Sequence, residues 1–209
     1  MISKKVLSEI VSKYSLGGHV EKVKWTIDEK DGVTINFIND SKTLVGQIYY
    51  NNSIGLKKGS YGIFNTSQLI KCLNILDGDI LVETKSQNGL ASKLNLADTN
   101  YDIKFSLADP AIIPKVPEVT DEDQPSASFE INDEFITRFV KSKDALNDLS
   151  SFTVETREGI TGDELVFTIG SDITNTIQFS VEELSQINEE FKQIPFDSNL
   201  FKEILKANR

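Results

Sequence analysis

The feature that most constrains the fold of this chain is an internal repeat. The segment WTID at 25–28 is matched by FTVE at 152–155, which lies 127 residues later. The segment FNT at 64–66 is matched by FDS at 196–198, at an offset of 132, and the apolar positions between the two matches follow in the same order. Similarity at a nearly constant offset indicates that one structural unit occurs twice. We therefore predict two similar domains rather than one continuous fold.

Prolines mark the boundary between the two copies. Four of the five prolines fall within residues 109–126, together with five acidic residues and one lysine. Because proline fixes φ and removes a backbone donor, such a stretch favours an extended chain. We predict an N-terminal domain at 1–108, an extended connector at 109–126 and a C-terminal domain at 127–209.

The hydrophobic pattern in each copy predicts two amphipathic helices and several antiparallel strands, which is the α+β class. The helices are predicted at 2–14, 66–76, 133–146 and 199–209. The strands are predicted at 20–27, 33–38, 43–50, 61–64, 79–85, 90–96, 101–107, 129–131, 151–156, 164–170, 176–181 and 194–196. Tight hairpin turns are predicted at Asp31-Gly32 and Asn88-Gly89, and helix N-caps at Asn65, Asn132 and Asp197.

The two copies differ after their second helices. In the first copy, residues 77–108 follow that helix and are predicted to form three strands, whereas the second copy ends at Arg209. Either the second domain closes differently or the sequence is C-terminally incomplete. We expect the second, with about 35–45 residues missing by the length of the first repeat.

Composition excludes several classes of protein. One Cys and one His exclude a zinc site with four Cys or His ligands and a Cys₄ iron–sulfur cluster. The lone Cys cannot form an internal disulfide, and the N-terminus lacks the apolar stretch of a secretion signal. These features suit a cytoplasmic protein. The formal net charge of −10 argues against a protein that is basic over its whole surface.

No motif indicates catalysis. His19 lies between a Gly-Gly turn and a strand without a nucleophile elbow, so we interpret it as structural or exposed. Cys72 lies on the apolar stripe of the second helix and is predicted to be a buried thiol. The acid clusters lack EF-hand spacing and fall mostly in predicted turns, where solvated charge is usual. We predict that the protein is not an enzyme and needs no cofactor or metal, and a metal-dependent nuclease is the weakest of three hypotheses.

Charge is distributed unevenly between the helices and the rest of the chain. The four predicted helices carry a net charge of +5, so the remaining residues carry −15. Lys202, Lys206 and Arg209 are spaced i, i+4 and i+7, which places them on one helix face. Helices that share such a bias predict a positive surface that meets phosphates without reading the bases.

Several short motifs resemble the DNA polymerase sliding clamps, or processivity factors, of T-even-type bacteriophages. In the first domain these are Ala97-Asp98, Ile103-Lys104-Phe105, Ala108-Asp109-Pro110 and the helix-turn-strand pattern of 64–89. In the second domain they are FEINDEFITRFVK and FTVETREG. The resemblance covers nearly the whole chain, but family members continue past this C-terminus with closing strands.

The resemblance implies a non-enzymatic protein that forms a closed trimeric ring around duplex DNA in the host cytoplasm. Helices line the hole, a clamp loader that uses ATP opens the ring, and the replicative polymerase and the loader dock on a pocket near the connector. The DNA-facing candidates are Lys4, Lys5, Lys13, Lys71, Arg138, Lys141, Lys143, Lys202 and Lys206. Ile112, Ile113 and Val116 are the candidates for the partner pocket, and packing of the connector on the sheets is the alternative for these three.

A second hypothesis of another class remains open. The chain could be a duplicated α+β structural or interaction protein that does not thread DNA. The geometry of assembly separates the two hypotheses, since a ring with a positive hole favours the clamp and a compact monomer or a dimer with buried helices favours the alternative.

Overall fold

A computed structural model describes residues 1–28, 30, 32–87, 89–117, 127–159, 162–171, 173–181, 184–187 and 192–209. The chain divides into two compact units, Met1–Val119 and Thr120–Arg209. Half of the predicted connector, residues 118–126, lies outside the described residues, as do Asp31 and Asn88 of the predicted turns. Among the described residues, no helix combines the length and the apolar character that a membrane crossing requires.

The first unit contains two α-helices, two short 3₁₀ helices (Leu16–Gly18 and Pro110–Ile112) and two four-stranded sheets within its described residues. Its elements are β1 (Ile2–Ser3), α1 (Lys4–Ser15), β2 (Val23–Ile27), β3 (Val33–Ile38), β4 (Val45–Tyr50), β5 (Gly59–Ile63), α2 (Thr66–Asn74), β6 (Asp79–Gln87), β7 (Leu90–Ala97) and β8 (Asp102–Ser106). The sheets have the orders β4-β3-β2-β5 and β1-β6-β7-β8, and all neighbouring strands are antiparallel. The α+β class predicted for this half is confirmed.

The core of the first unit follows from the alternation of its strands. In β2, Val23, Trp25 and Ile27 are buried whereas Lys24 and Thr26 are exposed. Side chains two residues apart share one face of a strand, so this pattern aims three apolar groups at the core. The ring of Tyr14 from α1 meets Trp25 edge-on, with 6.5 Å between the ring centroids.

The second unit repeats the plan with a core rich in phenylalanine. Its elements are β9 (Ala127–Phe129), α3 (Asp133–Ala145), β10 (Ser151–Glu158), β11 (Asp163–Ile169), β12 (Ile177–Val181), β13 (Leu184–Ile187), β14 (Ile194–Asp197) and α4 (Ser198–Ala207). A four-stranded sheet has the order β12-β11-β10-β14, and β13 pairs with β9. Phe139 is fully buried at the centre, 5.0 Å from the ring of Phe152 and 4.9 Å from that of Phe201.

The repeat extends to single hydrogen bonds at the second helix of each unit. Asn65 caps α2 by accepting from the N–H of Gln68 at 2.8 Å, and Asp197 caps α4 by accepting from the N–H of Leu200 at 2.9 Å. The next residue is fully buried in both units and donates its hydroxyl to a backbone carbonyl. These bonds are Thr66 Oγ1 to Glu21 O at 3.0 Å and Ser198 Oγ to Leu149 O at 2.9 Å. The predicted N-caps, including Asn132 on Phe135 N–H at 2.9 Å, are confirmed.

Three of the differences from the predicted elements have a common cause, whereas the other ends shift by up to three residues. Residues 184–187 were expected in a loop but form β13, which pairs with β9. The strand predicted at 129–131 lies at 127–129 because this pairing sets its limits. The first helix begins at Lys4 rather than at residue 2, since Ile2 and Ser3 pair with β6 as β1. All three depend on partners distant in sequence, which local periodicity does not report.

Acidic residues close turns in the first unit. Asp28 Oδ1 accepts from the N–H of Gly32 at 2.9 Å, which closes the β2–β3 turn. Asp98 accepts from three backbone N–H groups, those of Asn100 and Tyr101 at 2.7 Å each and that of Asp77 at 2.8 Å. These bonds, that of Asn100 foremost, hold the pKa of the Asp98 carboxyl below its ordinary value. In the described part of the chain, no group of three or more His, Cys, Asp or Glu residues is placed to hold a metal ion.

Candidate nucleic-acid interface

Each unit packs its two helices against one another, α1 with α2 and α3 with α4. On α1 the buried stripe contains Leu7, Ile10, Val11 and Tyr14. The opposite stripe carries Lys5, Glu9 and Lys13, all exposed at spacings of four. Amphipathic packing therefore fixes which lysines of the first unit face away from its core.

Most of the candidate cations of the first unit have no acidic partner. Lys5 Nζ lies 3.9 Å from Glu9 Oε1, and both side chains are largely exposed, so this pair contributes little. Lys13 and Lys71 are exposed and Lys4 is half-buried. None of these three forms an ion pair with any residue that the structure describes.

Lys143 of the second unit is buried and is not part of the accessible surface. Lys143 is only 2% exposed, and its ammonium donates to Asn147 O at 2.8 Å and to Leu146 O at 3.5 Å. A group in this position satisfies backbone carbonyls beyond the last turn of α3. The sequence contains the signal for this burial, since Ile136, Phe139 and Lys143 fall at i, i+3 and i+7 on the apolar stripe. We therefore remove Lys143 from the set of DNA-facing candidates.

Ion pairs connect the two helices of the second unit at both ends. Lys202 in α4 pairs with Asp144 in the last turn of α3. Arg209, which follows α4, lies 3.4 Å from a carboxylate oxygen of Asp133 at the start of α3. The two helices are therefore antiparallel, with a cation of one opposite an acid of the other at each end. The Lys202 ammonium is the main reason that the pKa of the Asp144 carboxyl is lowered.

The other candidate cations on α3 and α4 are also paired, with one exception among the described residues. Arg138 pairs with Glu134, donates to Ser180 O at 3.2 Å and lies over the ring of Phe179 at 5.8 Å. Lys206 Nζ lies 3.1 Å from Glu203 Oε1. Lys141 is exposed and has no ion partner within the described ranges.

The three apolar candidates near the connector have different environments. Ile112 is 61% exposed, Val116 is half-buried and Ile113 is only 6% exposed. The chain reaches this point through a bridge between Ala108 and Gly62, with Ala108 N donating to Gly62 O at 2.9 Å. Ile113 Cγ1 would lie 3.3 Å from a Cβ placed on Gly62. Ile113 therefore packs on β5 as the alternative interpretation predicted, and Ile112 is the exposed member of the set.

Two surface cavities were not predicted from the sequence. An open groove of about 600 Å³ beside the start of α2 is lined by Glu21, Phe64, Asn65, Ser67, Gln68 and Lys71. An apolar pocket of about 300 Å³ in the second unit is lined by residues that include Phe129, Ile131, Phe152, Ile194 and Phe196. Phe64 and Phe196 occupy equivalent positions in the repeat and are exposed to the same degree, 48% and 47%. An aromatic residue directly before a helix cap in both copies is the signal that could have identified them.

His19 and Cys72, the two residues considered above for catalysis, lie at the surface and at the edge of a helix stripe. His19 is exposed, in agreement with its interpretation. Cys72 is half-buried rather than buried, because it lies at the edge of the α2 stripe formed by Leu69 and Leu73.

No protein-family model matches the chain, and no curated protein matches it. Solved structures do match. A structure of the C-terminal region of FEN-1 bound to A. fulgidus PCNA matches with a TM-score of 0.59 and 16% identity, over 99% of this chain and 81% of the other. The proliferating cellular nuclear antigen of Entamoeba histolytica matches with a TM-score of 0.57 and 15% identity, over 98% and 82%. The Helicobacter pylori beta clamp matches with a TM-score of 0.64 and 17% identity, over 98% of this chain but 56% of its own length.

These matches span both units, since each covers at least 98% of this chain. The chain therefore has the DNA-clamp fold, an α+β architecture of two similar units. At these identities the comparison establishes the fold. It agrees with the architecture that the internal repeat predicted.

Proposed function

We propose that this chain is a sliding clamp that encircles duplex DNA and holds the replicative polymerase on its template. The observation that carries the proposal is the position of the lysines within a clamp fold. In a chain of net charge −10, Lys13 and Lys71 stand on the outward faces of packed helices without acidic partners among the described residues. Unpaired cations on such a face attract phosphates without reading the bases.

The assembly proposed is a closed ring of three copies, with the helices toward the DNA and the acidic strands outside. This arrangement follows the resemblance to phage clamps. It also makes the net charge of −10 compatible with DNA binding, because an acidic exterior disfavours indiscriminate binding of nucleic acid while the helices bind the duplex. The two domains of the proposal, 1–108 and 127–209 joined by the connector 109–126, supply two pairs of helices per copy.

The proposed mechanism is tethering rather than chemistry. A ring that encloses the duplex makes each rebinding of the polymerase an intramolecular event, which raises its effective concentration at the primer end. Contacts between lysines and phosphates that are exposed to water are weak and screened by salt, so the ring can move along the duplex. A clamp loader supplies the work of opening the ring.

The proposed partners are proteins that act on DNA and dock through short segments. A. fulgidus PCNA binds the C-terminal region of FEN-1, and the H. pylori beta clamp binds a DNA ligase peptide. We extend such docking to the polymerase and the clamp loader of this chain. Ile112, which is exposed beside the connector, is the residue proposed to contact them, with Val116 as its half-buried neighbour.

Light scattering coupled to gel filtration, combined with DNA titration, tests this proposal. We expect the mass of three chains and binding to duplexes of unrelated sequence with equal affinity that falls steeply with salt. A monomer or a compact dimer that does not bind duplex DNA would favour the second hypothesis, a duplicated interaction protein. Titration with Mg²⁺ or Mn²⁺ and an assay for DNA cleavage test the nuclease hypothesis, for which we expect neither binding nor cleavage.

A further inference from the structure

The two helix pairs differ in how many of their cations are free. Each of the four acidic side chains on α3 and α4 forms an ion pair with a basic residue. The pairs are Glu134 with Arg138, Asp144 with Lys202, Glu203 with Lys206 and Asp133 with Arg209. With Lys143 buried, only Lys141 is left without an ion partner among the residues described.

The first unit has the opposite balance. Glu9 is the one acidic residue on α1 and α2, and its partner Lys5 is 3.9 Å away. Lys4, Lys13 and Lys71 form no ion pair with the described part of the chain. The number of counterions that a surface releases from DNA depends on its uncompensated positive charge, so the first pair should dominate binding.

We propose that the helix pair of the first unit is the principal phosphate-binding surface of the chain, and that the cations of the second helix pair are mainly engaged in ion pairs within and between α3 and α4. This inference rests on the proposed function, because it assumes that the helices face DNA. It assigns the two halves of a duplicated protein different roles at the same ligand, the sugar-phosphate backbone of duplex DNA.

The geometry supports a structural role for the cations of the second unit. The side chain of Lys202 is only 20% exposed, and it reaches across to Asp144 rather than along its own helix. Arg138 is directed toward β12, where it bonds Ser180 O and covers the ring of Phe179. Long basic side chains in such positions contribute packing and hydrogen bonds as well as charge. They are engaged before any DNA arrives.

Four variants of the full chain test the inference by the salt dependence of binding. The probe is a fluorescently labelled duplex of about 30 base pairs, long enough to hold several phosphate contacts. K13A/K71A removes two unpaired cations from the first unit. K24A/K85A removes the same charge from exposed strand positions of that unit and is its matched control. K202A/D144A deletes an ion pair of the second unit without changing net charge, and D144N releases Lys202 from its partner.

The slope of log K against log salt is negative, and we compare its magnitude. We expect K13A/K71A to reduce this magnitude by about 2, at roughly one per lost phosphate contact. K24A/K85A and K202A/D144A should leave the slope unchanged, and D144N should raise it by about 1 because a cation becomes free. Circular dichroism confirms that each variant is folded. If K202A/D144A lowers the slope as much as K13A/K71A, the inference is wrong while the proposed function stands. If K24A/K85A lowers it equally, the helices are not the DNA-facing surface, and both the inference and the proposed arrangement fail. If the unaltered chain does not bind the duplex at all, both fail.

Discussion

The hydroxyl bond that recurs in both units provides a stringent test of how the repeat is built. Thr66 and Ser198 occupy equivalent positions, are fully buried and donate to Glu21 O and Leu149 O at 3.0 and 2.9 Å. The substitutions Thr66→Val and Ser198→Ala each remove the hydroxyl with little other change. We expect both to destabilise the unit that contains them, but by different amounts.

The difference depends on whether each carbonyl oxygen keeps a second hydrogen-bond donor after the substitution. Glu21 O also accepts from the backbone N–H of Thr66 at 3.1 Å, so Thr66→Val leaves it satisfied and costs about 1 kcal/mol. Leu149 O has no second donor within the described residues, so Ser198→Ala leaves a carbonyl unpaired and costs about 1–3 kcal/mol. At a urea m value of about 1.5 kcal/mol/M, a loss of 1 kcal/mol lowers the unfolding midpoint by about 0.7 M.

The assay uses the one tryptophan of the chain. Trp25 is fully buried in the first unit, so its fluorescence reports the unfolding of that unit, whereas far-UV circular dichroism reports both. Thr66→Val should shift the fluorescence midpoint, and Ser198→Ala should shift only a transition seen by circular dichroism, as expected for separate cooperative units. Equal shifts of the Trp25 transition by both variants would refute the reasoning, as would a larger loss from Thr66→Val than from Ser198→Ala.

Three further substitutions test the packing and the turns of the two units. Phe139→Ala should cost about 3–5 kcal/mol because it empties the centre of the phenylalanine core, and Phe139→Leu, measured by urea unfolding, should cost clearly less. Gly62→Ala should cost about 1–3 kcal/mol, since the new Cβ would lie 2.6 Å from Ala108 O, and a neutral result would contradict the bridge that leads to the connector. Asp98→Asn should destabilise the first unit at neutral pH, because it removes a carboxylate whose folded-state pKa is lowered by its hydrogen bonds. The stability that this charge supplies is fully present above the unfolded pKa of about 3.9 and is lost as pH falls through the lower folded pKa. Unfolding from pH 7 to pH 3 should therefore show the variant and the parent converging in acid, and a constant difference would contradict this explanation.

Much of the fold could be predicted because its signals are local. The amphipathic stripes and the caps Asn65, Asn132 and Asp197 determine where α2, α3 and α4 begin. The internal repeat predicted that the chain forms two units of the same architecture, which no single helix or strand could indicate. The strand β13 at 184–187 was missed because its pairing with β9 joins segments about 55 residues apart, and such pairing depends on tertiary context.

The candidate interface was predictable in outline but not in detail. Helical position explains why Lys13 and Lys71 are exposed and could also have revealed that Lys143 is buried. The pairing of Lys202 with Asp144 could not be predicted, since it depends on how α4 is rotated and set against α3. Residue counts give a net charge for each helix, whereas the charge available to a ligand depends on these contacts.

The central claim of the proposed function is that the chain is linked to DNA by topology, and retention on a circular duplex measures this most directly. The protein is placed on a nicked plasmid, passed through gel filtration at a salt concentration that abolishes its binding to short duplexes, and compared with the same plasmid cut once. We predict that the chain is retained on the circle and lost from the linear form, because a ring leaves DNA only over a free end. Equal retention on both forms, or no retention on the circle once a clamp loader and ATP are supplied, would contradict the proposal.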